Sequence, residues 1–254
     1  MKALNYTFSL LAFFIFMSCS NAQKQNIEGK KVTPNSPEIK TGFFEPFTVD
    51  GVINIETKKG KTSVFRYVNK QMNFDLLNNQ KVIKQVLSYF DNKKKLTGVH
   101  TTIYDPTTFH VLYWRYDNKT NNSSFAFKTE GTTIKGTQDV SLPDNEWKGI
   151  DIGTKVFQNE SRELFFRAVN VPIGTVVSFP IIGMQSPFHG WVNYKYSKNR
   201  KVLFEGKSYD AKIWEAANDS NTFYVVIDKA PYVIKREVST GKEKHVFSYR
   251  DVKN

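Results

Sequence analysis

The chain has 254 residues, with 36 lysines and arginines against 24 aspartates and glutamates, and 15% of it is aromatic. A chain of this length buries about 70–75% of its unfolded surface in one core, and its one cysteine, Cys19, excludes an intramolecular disulfide. The net charge of +12, mostly lysine, suits phosphates, acidic glycans or anionic lipid headgroups, or else a plain solvated surface.

In chain order, residues 1–18 read as a signal peptide. Lys2 gives a short positive region, and "FSLLAFFIFM" from Phe8 to Met17 is an apolar core too short to span a bilayer. Two processing readings follow. "FMSC" resembles a bacterial lipobox, with Phe16 where leucine is usual, and would leave Cys19 as a lipid-bearing first residue. Small residues at Ser20 and Ala22 allow a cut after Ala22 instead, releasing a chain that starts at Gln23. The first reading is favoured: a bacterial envelope protein, lipid-anchored at Cys19 and facing the periplasm. The second gives a soluble periplasmic or secreted protein. Either address argues against a nucleic-acid partner. Loss of Lys2 with the leader takes the net charge from +12 to +11.

Residues 19–42 are polar, with two prolines, and predict a flexible tether. Residues 43–254 predict a single β-rich domain. "GVINIETKKGKTSVFRYVNK" (51–70) gives two strands about a lysine-rich turn. "VIKQVLSYF" fits a helical period through Val82, Val86 and Tyr89, but β-branching and its hairpin context favour a strand. Asp91-Asn92 and Asp105-Pro106 mark turns, since an aspartate or asparagine side chain bonds its own backbone and proline presets φ. In "FHVLYWRY", Phe109, Val111 and Tyr113 share one face, and both faces are apolar or aromatic. "SFAFKTEGTTIKGTQ" predicts a hairpin at Glu130-Gly131, and 139–160 read as loop.

"ESRELFFRAVNVPIG" (160–174) is the best helix, with Ser161 as cap, Leu164, Phe165 and Ala168 as an apolar stripe, and Pro172 and Gly174 as the stop. Strands follow over 175–182, 190–197, 201–205, 208–217, 222–228, 231–239 and 243–250. Hairpins are expected at Lys198-Asn199 and Thr240-Gly241. The sum is a mainly β protein: a curved antiparallel sheet, a half-barrel or open barrel, with one or two helices on its concave side.

The helix ending "FFRAVNVPIGTVVSFPI" (165–181), the strand "YDAKIWEA" (209–216) and the closing "FYVVIDKAPYVIKREVSTGKEKHVFSYRDV" (223–252) carry a family resemblance. Over roughly 45–252 the chain resembles the domain-of-unknown-function 3108 family of exported bacterial proteins, distantly similar to LolA/LolB-type lipoprotein carriers. The resemblance implies an open barrel whose concave face holds a helix and can take acyl chains. It carries over no catalytic residue.

Catalytic signatures are missing from the sequence: it has no GxSxG, no GxxxxGK[ST], no GxGxxG and no HExxH. His100 and His110 flank the Asp105-Pro106 turn and with Asp105 could hold zinc, but ordinary strand histidines fit as well; no metal site and no cofactor is expected. Asp139, Asp144 and Glu146 lie in a polar stretch with no sign of the facing carboxylates of a glycosidase. Trp114, Trp147, Trp191 and Trp214 fit a core better than a ligand platform.

The functional expectation is a non-enzymatic envelope protein binding an apolar ligand or lipid. Expected lining residues are Phe109, Val111 and Tyr113 on one strand, Val176, Phe179 and Ile181 on another, and Phe188 and Trp191 beside "GMQSPFHGW". The alternative is an envelope structural or interaction protein with no small ligand, using its basic surface. Oligomeric state is not set by the sequence.

Overall fold

The computed structural model describes residues 28–136, 149–182, 189–204, 206–217, 219–240 and 243–249. The leader, Cys19, Ala22, Phe188, Asp139, Asp144, Glu146 and Trp147 lie outside these residues.

The protein is mainly β, one large, mostly antiparallel open sheet with one short helix. The sheet begins as a meander of β2 (Phe47–Thr57), β3 (Thr62–Leu77), β4 (Gln80–Phe90), β5 (Leu96–Tyr104), β6 (Val111–Asn118), β7 (Ser123–Glu130), β8 (Thr133–Gly136) and β9 (Ile150–Asp151). A second meander runs through β11 (Val176–Ile182), β12 (His189–Phe204), β13 (Lys207–Ala216), β14 (Asp219–Ile227), β15 (Val233–Thr240) and β16 (Glu243–Tyr249). β16 pairs antiparallel with β2 and joins the two into one sheet. Short β1 (Lys30–Lys31) and β10 (Phe157–Gln158) both lie parallel to β11.

The sheet curls, although it does not close into a barrel. The Val156 carbonyl accepts the Val111 amide at 3.2 Å, while the next residue, Phe157, pairs with Ile181 of β11. β6 and β11 stand far apart in strand order, so only a curled sheet lets neighbouring residues reach both. One core takes buried side chains from Met72 of β3 through Phe127 of β7 to Trp214 of β13 and Tyr224 of β14. Such a sheet shares one interior.

The helix α1 (Arg162–Ala168) enters that interior behind a 3₁₀ turn, Asn159–Ser161. Phe166 stacks on Trp214 at 5.1 Å between ring centroids, and Phe165 meets Phe157 at 4.9 Å and Phe179 at 4.8 Å. Aromatic pairs at these separations add about 0.5–1.5 kcal/mol each beyond area burial.

Several local expectations need correction. The helix is shorter than 160–174: Val169 is already extended, and a bridge pairs it with Ile39. Ser161 makes no cap bond; its hydroxyl donates to the Gln158 carbonyl, and the Gln158 side chain accepts the Glu160 amide. No hairpin turns at Lys198-Asn199, because β12 continues through it and Asn199 pairs with Lys212. The polar pair sits beside a β-bulge at Ser197, where the register shifts between Tyr196 and Lys198. The strand instead gives way near Gly206, whose φ of 77° suits glycine. The expected tether is also partly docked: Val32 is fully buried, its amide bonds the Ser178 carbonyl at 3.0 Å, and Lys40 bonds Ala168.

Candidate functional site

Eight neighbouring strands, β15-β16-β2-β3-β4-β5-β6-β7, and the 3₁₀ turn enclose a cavity of about 650 Å³. That volume falls in the range of small-molecule sites, about 300–1,000 Å³. Strand register explains its layered wall, since alternate residues face one side.

A core row that does not itself line the cavity crosses the sheet as Phe47, Met72, Gln85, Thr102, Trp114 and Phe127, each opposite the next. Two residues outward, Val49, Lys70, Leu87, His100, Tyr116 and Phe125 form a second row, now carrying charge. A third row runs Tyr249, Gly51, Val68, Tyr89, Gly98 and Asn118. Its glycines make room for rings. A Cβ on Gly98 would come within 2.8 Å of the Tyr116 ring, and one on Gly51 within 2.9 Å of the Tyr249 ring. Toward the opening, a bulge leaves Phe65 unpaired between Val64 and Arg66, a device that re-aims side chains beside sites. Phe65 and Arg66 both line the cavity.

The floor is ionic. Lys70, nearly fully buried, pairs with the buried carboxylate of Glu163 on α1, and its ammonium lies 3.4 Å from the Glu160 carbonyl. Burial pushes the Lys70 ammonium down to about 7, against the pull of Glu160. Arg162 donates from Nε to the Tyr194 hydroxyl at 3.0 Å and also bonds Asn159. Burial acts to raise the Glu160 carboxyl, but Arg236, Arg162, His100 and Lys70 together outweigh it and hold the group below its usual range. Burial lowers His100 to about 4, so it is neutral near pH 7. Burial raises Tyr89 and Tyr249 above the ordinary phenol range, so both stay protonated. A smaller cavity of about 30 Å³ lies against Tyr89, Glu160, Glu163, Arg236 and Tyr249, room on the scale of a water molecule.

Two polar groups of the wall stand out. Arg236 is sandwiched by rings, 4.7 Å from Phe247 and 5.5 Å from Tyr224, and its buried Nε has no hydrogen-bond partner among the described residues. His100, tilted over Tyr116 at 4.3 Å, likewise has a buried Nδ1 with no such partner. With Arg66, the cavity presents two guanidinium groups and the Glu160 carboxylate along an aromatic wall.

The residues expected from sequence sit elsewhere. Phe109, Val111, Phe179 and Ile181 are buried in the core, Tyr113 and Val176 are half-buried, and Trp191 is 43% exposed beside Lys31. None of them lines the 650 Å³ cavity. Of the expected tryptophans, Trp114 and Trp214 are core residues. His100 and His110 do not meet: His100 lies opposite Tyr116, while His110 bonds the Val156 backbone at 3.1 Å. Among the described residues no group of three metal-ligating side chains comes together.

Sequence reasoning passed over Lys70, Arg236 and Glu160. A signal existed for Lys70: in "YVNKQM" it shares its face with Val68 and Met72. Comparison with protein-family models, with curated proteins and with solved structures gives no match.

Proposed function

We propose that this protein is a non-enzymatic binding protein of the cell envelope, anchored through Cys19, and that it holds one small amphipathic ligand with an anionic group. The observation that carries the reading is the cavity itself: about 650 Å³, lined by Ile53, Phe65, Tyr89, Tyr116, Phe125 and Phe247 among polar side chains, with the Arg236 Nε lacking a hydrogen-bond partner among the described residues. An apolar tail against such a wall gains about 0.8 kcal/mol per buried methylene. A carboxylate, sulfate or phosphate group gains charge-assisted hydrogen bonds from the guanidinium. Glu160 favours binding over acid–base chemistry, because a carboxyl held below its usual range is a fixed charge and a poor proton carrier at neutral pH.

Titration calorimetry with dodecanoate and with the uncharged dodecanol tests this. Saturable uptake of one dodecanoate per chain, tighter than dodecanol, is the expected result. No saturable binding, or equal binding of the two, overturns the reading.

A further inference from the structure

Chain direction in the two meanders fixes which turns share an end of the sheet. The turns after β2, β4 and β6 lie at one end, and those after β3, β5 and β7 at the other. The first three carry lysines: Lys58, Lys59 and Lys61 after β2, Lys93 to Lys95 after β4, and Lys119 after β6. All of these are exposed, and none is joined in an ion pair to a described residue. Acids also stand at this end, but each has another partner; Glu243, opposite Thr57, lies 3.8 Å from His245. The Asp91 carboxylate accepts the backbone amides of Lys93 and Lys95, each at 2.9 Å, Asp117 pairs with Arg115, and Glu56 pairs with Lys244.

The cavity reaches the same end, because Asn118 at the end of β6, Asn121 of the turn after it and Ser123 at the start of β7 help line it. Val64 and Phe65, 39% and 41% exposed, add an apolar spot next to the lysines. Exposed lysines without an ion-pair partner among the described residues, Lys94 resting over the Tyr67 ring at 5.7 Å, with exposed apolar side chains at the same end, match an anionic bilayer: the lysines meet headgroups and the apolar residues meet the acyl boundary.

We infer that the lysine-bearing end of the sheet docks on an anionic membrane surface, with the cavity opening turned toward the lipid. This surface goes beyond the ligand reading and stands on its own charges. The opposite end is differently built. Its lysines are partly neutralised, Lys84 by Asp75 and both Lys128 and Lys135 by Glu130.

The test is flotation of the chain from Ser20 onward, which carries neither the apolar leader nor Cys19, so that no acyl chain or leader anchors it. The vesicles are phosphatidylcholine with and without phosphatidylglycerol. The protein is expected to float only with phosphatidylglycerol, and less so at high salt. Lys58→Glu/Lys59→Glu/Lys94→Glu lowers vesicle affinity by about tenfold or more, while Lys81→Glu/Lys84→Glu/Lys201→Glu at the far end changes it by about twofold or less. Equal loss in both variants, or full binding by the first, overturns the inference. So does retention on an acidic polysaccharide without vesicle binding, which assigns the surface to a glycan. Dodecanoate titration of the same variants separates the two proposals: a cavity that still fills while docking is absent refutes only the surface.

Discussion

Strands β11 to β14 and strands β15 to β7 belong to one sheet, yet its interior is used differently along its length. Over the first group, α1 sets Phe165 and Phe166 among Phe179, Tyr194, Trp214 and Tyr224, and the space is filled with rings. Over the second, the same curvature leaves about 650 Å³ between Tyr89, Tyr116, Phe125 and Phe247. The helix has seven residues, too few to cover both. Its charged leading end, Glu160 to Glu163, falls on the border, so the seam between filled and open halves is ionic. A short helix thus serves as filler on one side and as a polar floor on the other.

Substitutions can break that contrast. The largest effect belongs to the filled half: Phe166→Ala removes a ring stacked on Trp214 and is expected to cost about 3–5 kcal/mol in urea unfolding, whereas Phe65→Ala, at the 41%-exposed mouth, stays within about 0.5 kcal/mol. Equal costs would mean that the open half is packed as tightly as the other. On the seam, Glu163→Ala strands a buried ammonium and is expected to cost about 3–5 kcal/mol as well, while Lys70→Met/Glu163→Leu recovers most of it. A double variant no better than the single would show that the pair does more than neutralise itself.

Acid is expected to act on the seam next. The unfolded imidazole of His100 takes its proton near 6.5 and the buried one near 4, so between those values the unfolded chain binds more protons. Stability that is complete above about pH 6.5 is therefore lost as pH falls toward 4, by about 3 kcal/mol. His100→Leu should remove that part of the slope, read from urea midpoints across the interval; an unchanged slope would place the acid sensitivity elsewhere. The smallest effect falls in the open half: Arg236→Leu keeps an apolar side chain between Phe247 and Tyr224 and weakens dodecanoate binding about tenfold, near 1.4 kcal/mol by calorimetry. Unaltered affinity would take Arg236 out of the ligand site.

Strand alternation and turn chemistry made most of this sheet legible. The turns at Asp91, Asp105 and Gly131 stand where aspartate and glycine predicted them, and β4 is a strand despite its helical period. Lys198-Asn199 misled because a polar pair inside a strand resembles a turn, and only pairing with Lys212 shows that the chain runs on. The site was harder to see. Which residues share a wall depends on register across eight strands, and a one-residue slip turns every side chain to the other face. Phe109 and Val111 read as lining because they are apolar and alternate, yet 1% and 0% exposure mark them as core. The groups that do line the cavity include Arg66, His100 and Arg236, polar residues that an apolar pattern passes over.

The seam between β16 and β2 also sets an order of events. His245 lies opposite Ile55, and Phe247 opposite Ile53, so almost two hundred residues separate partners that must align side by side. Hairpins such as β3–β4 form from neighbours in the chain and need no waiting. The cavity wall does wait, because Arg236 and Phe247 lie on β15 and β16, which follow the other described strands in the chain. Closing so long a loop comes late and slowly. A nascent chain stalled before residue 233 would hold all of the first meander and lack both β15 and β16. The pocket wall is thus completed only when β16 has joined β2, so no ligand can occupy a finished site before that pairing is made.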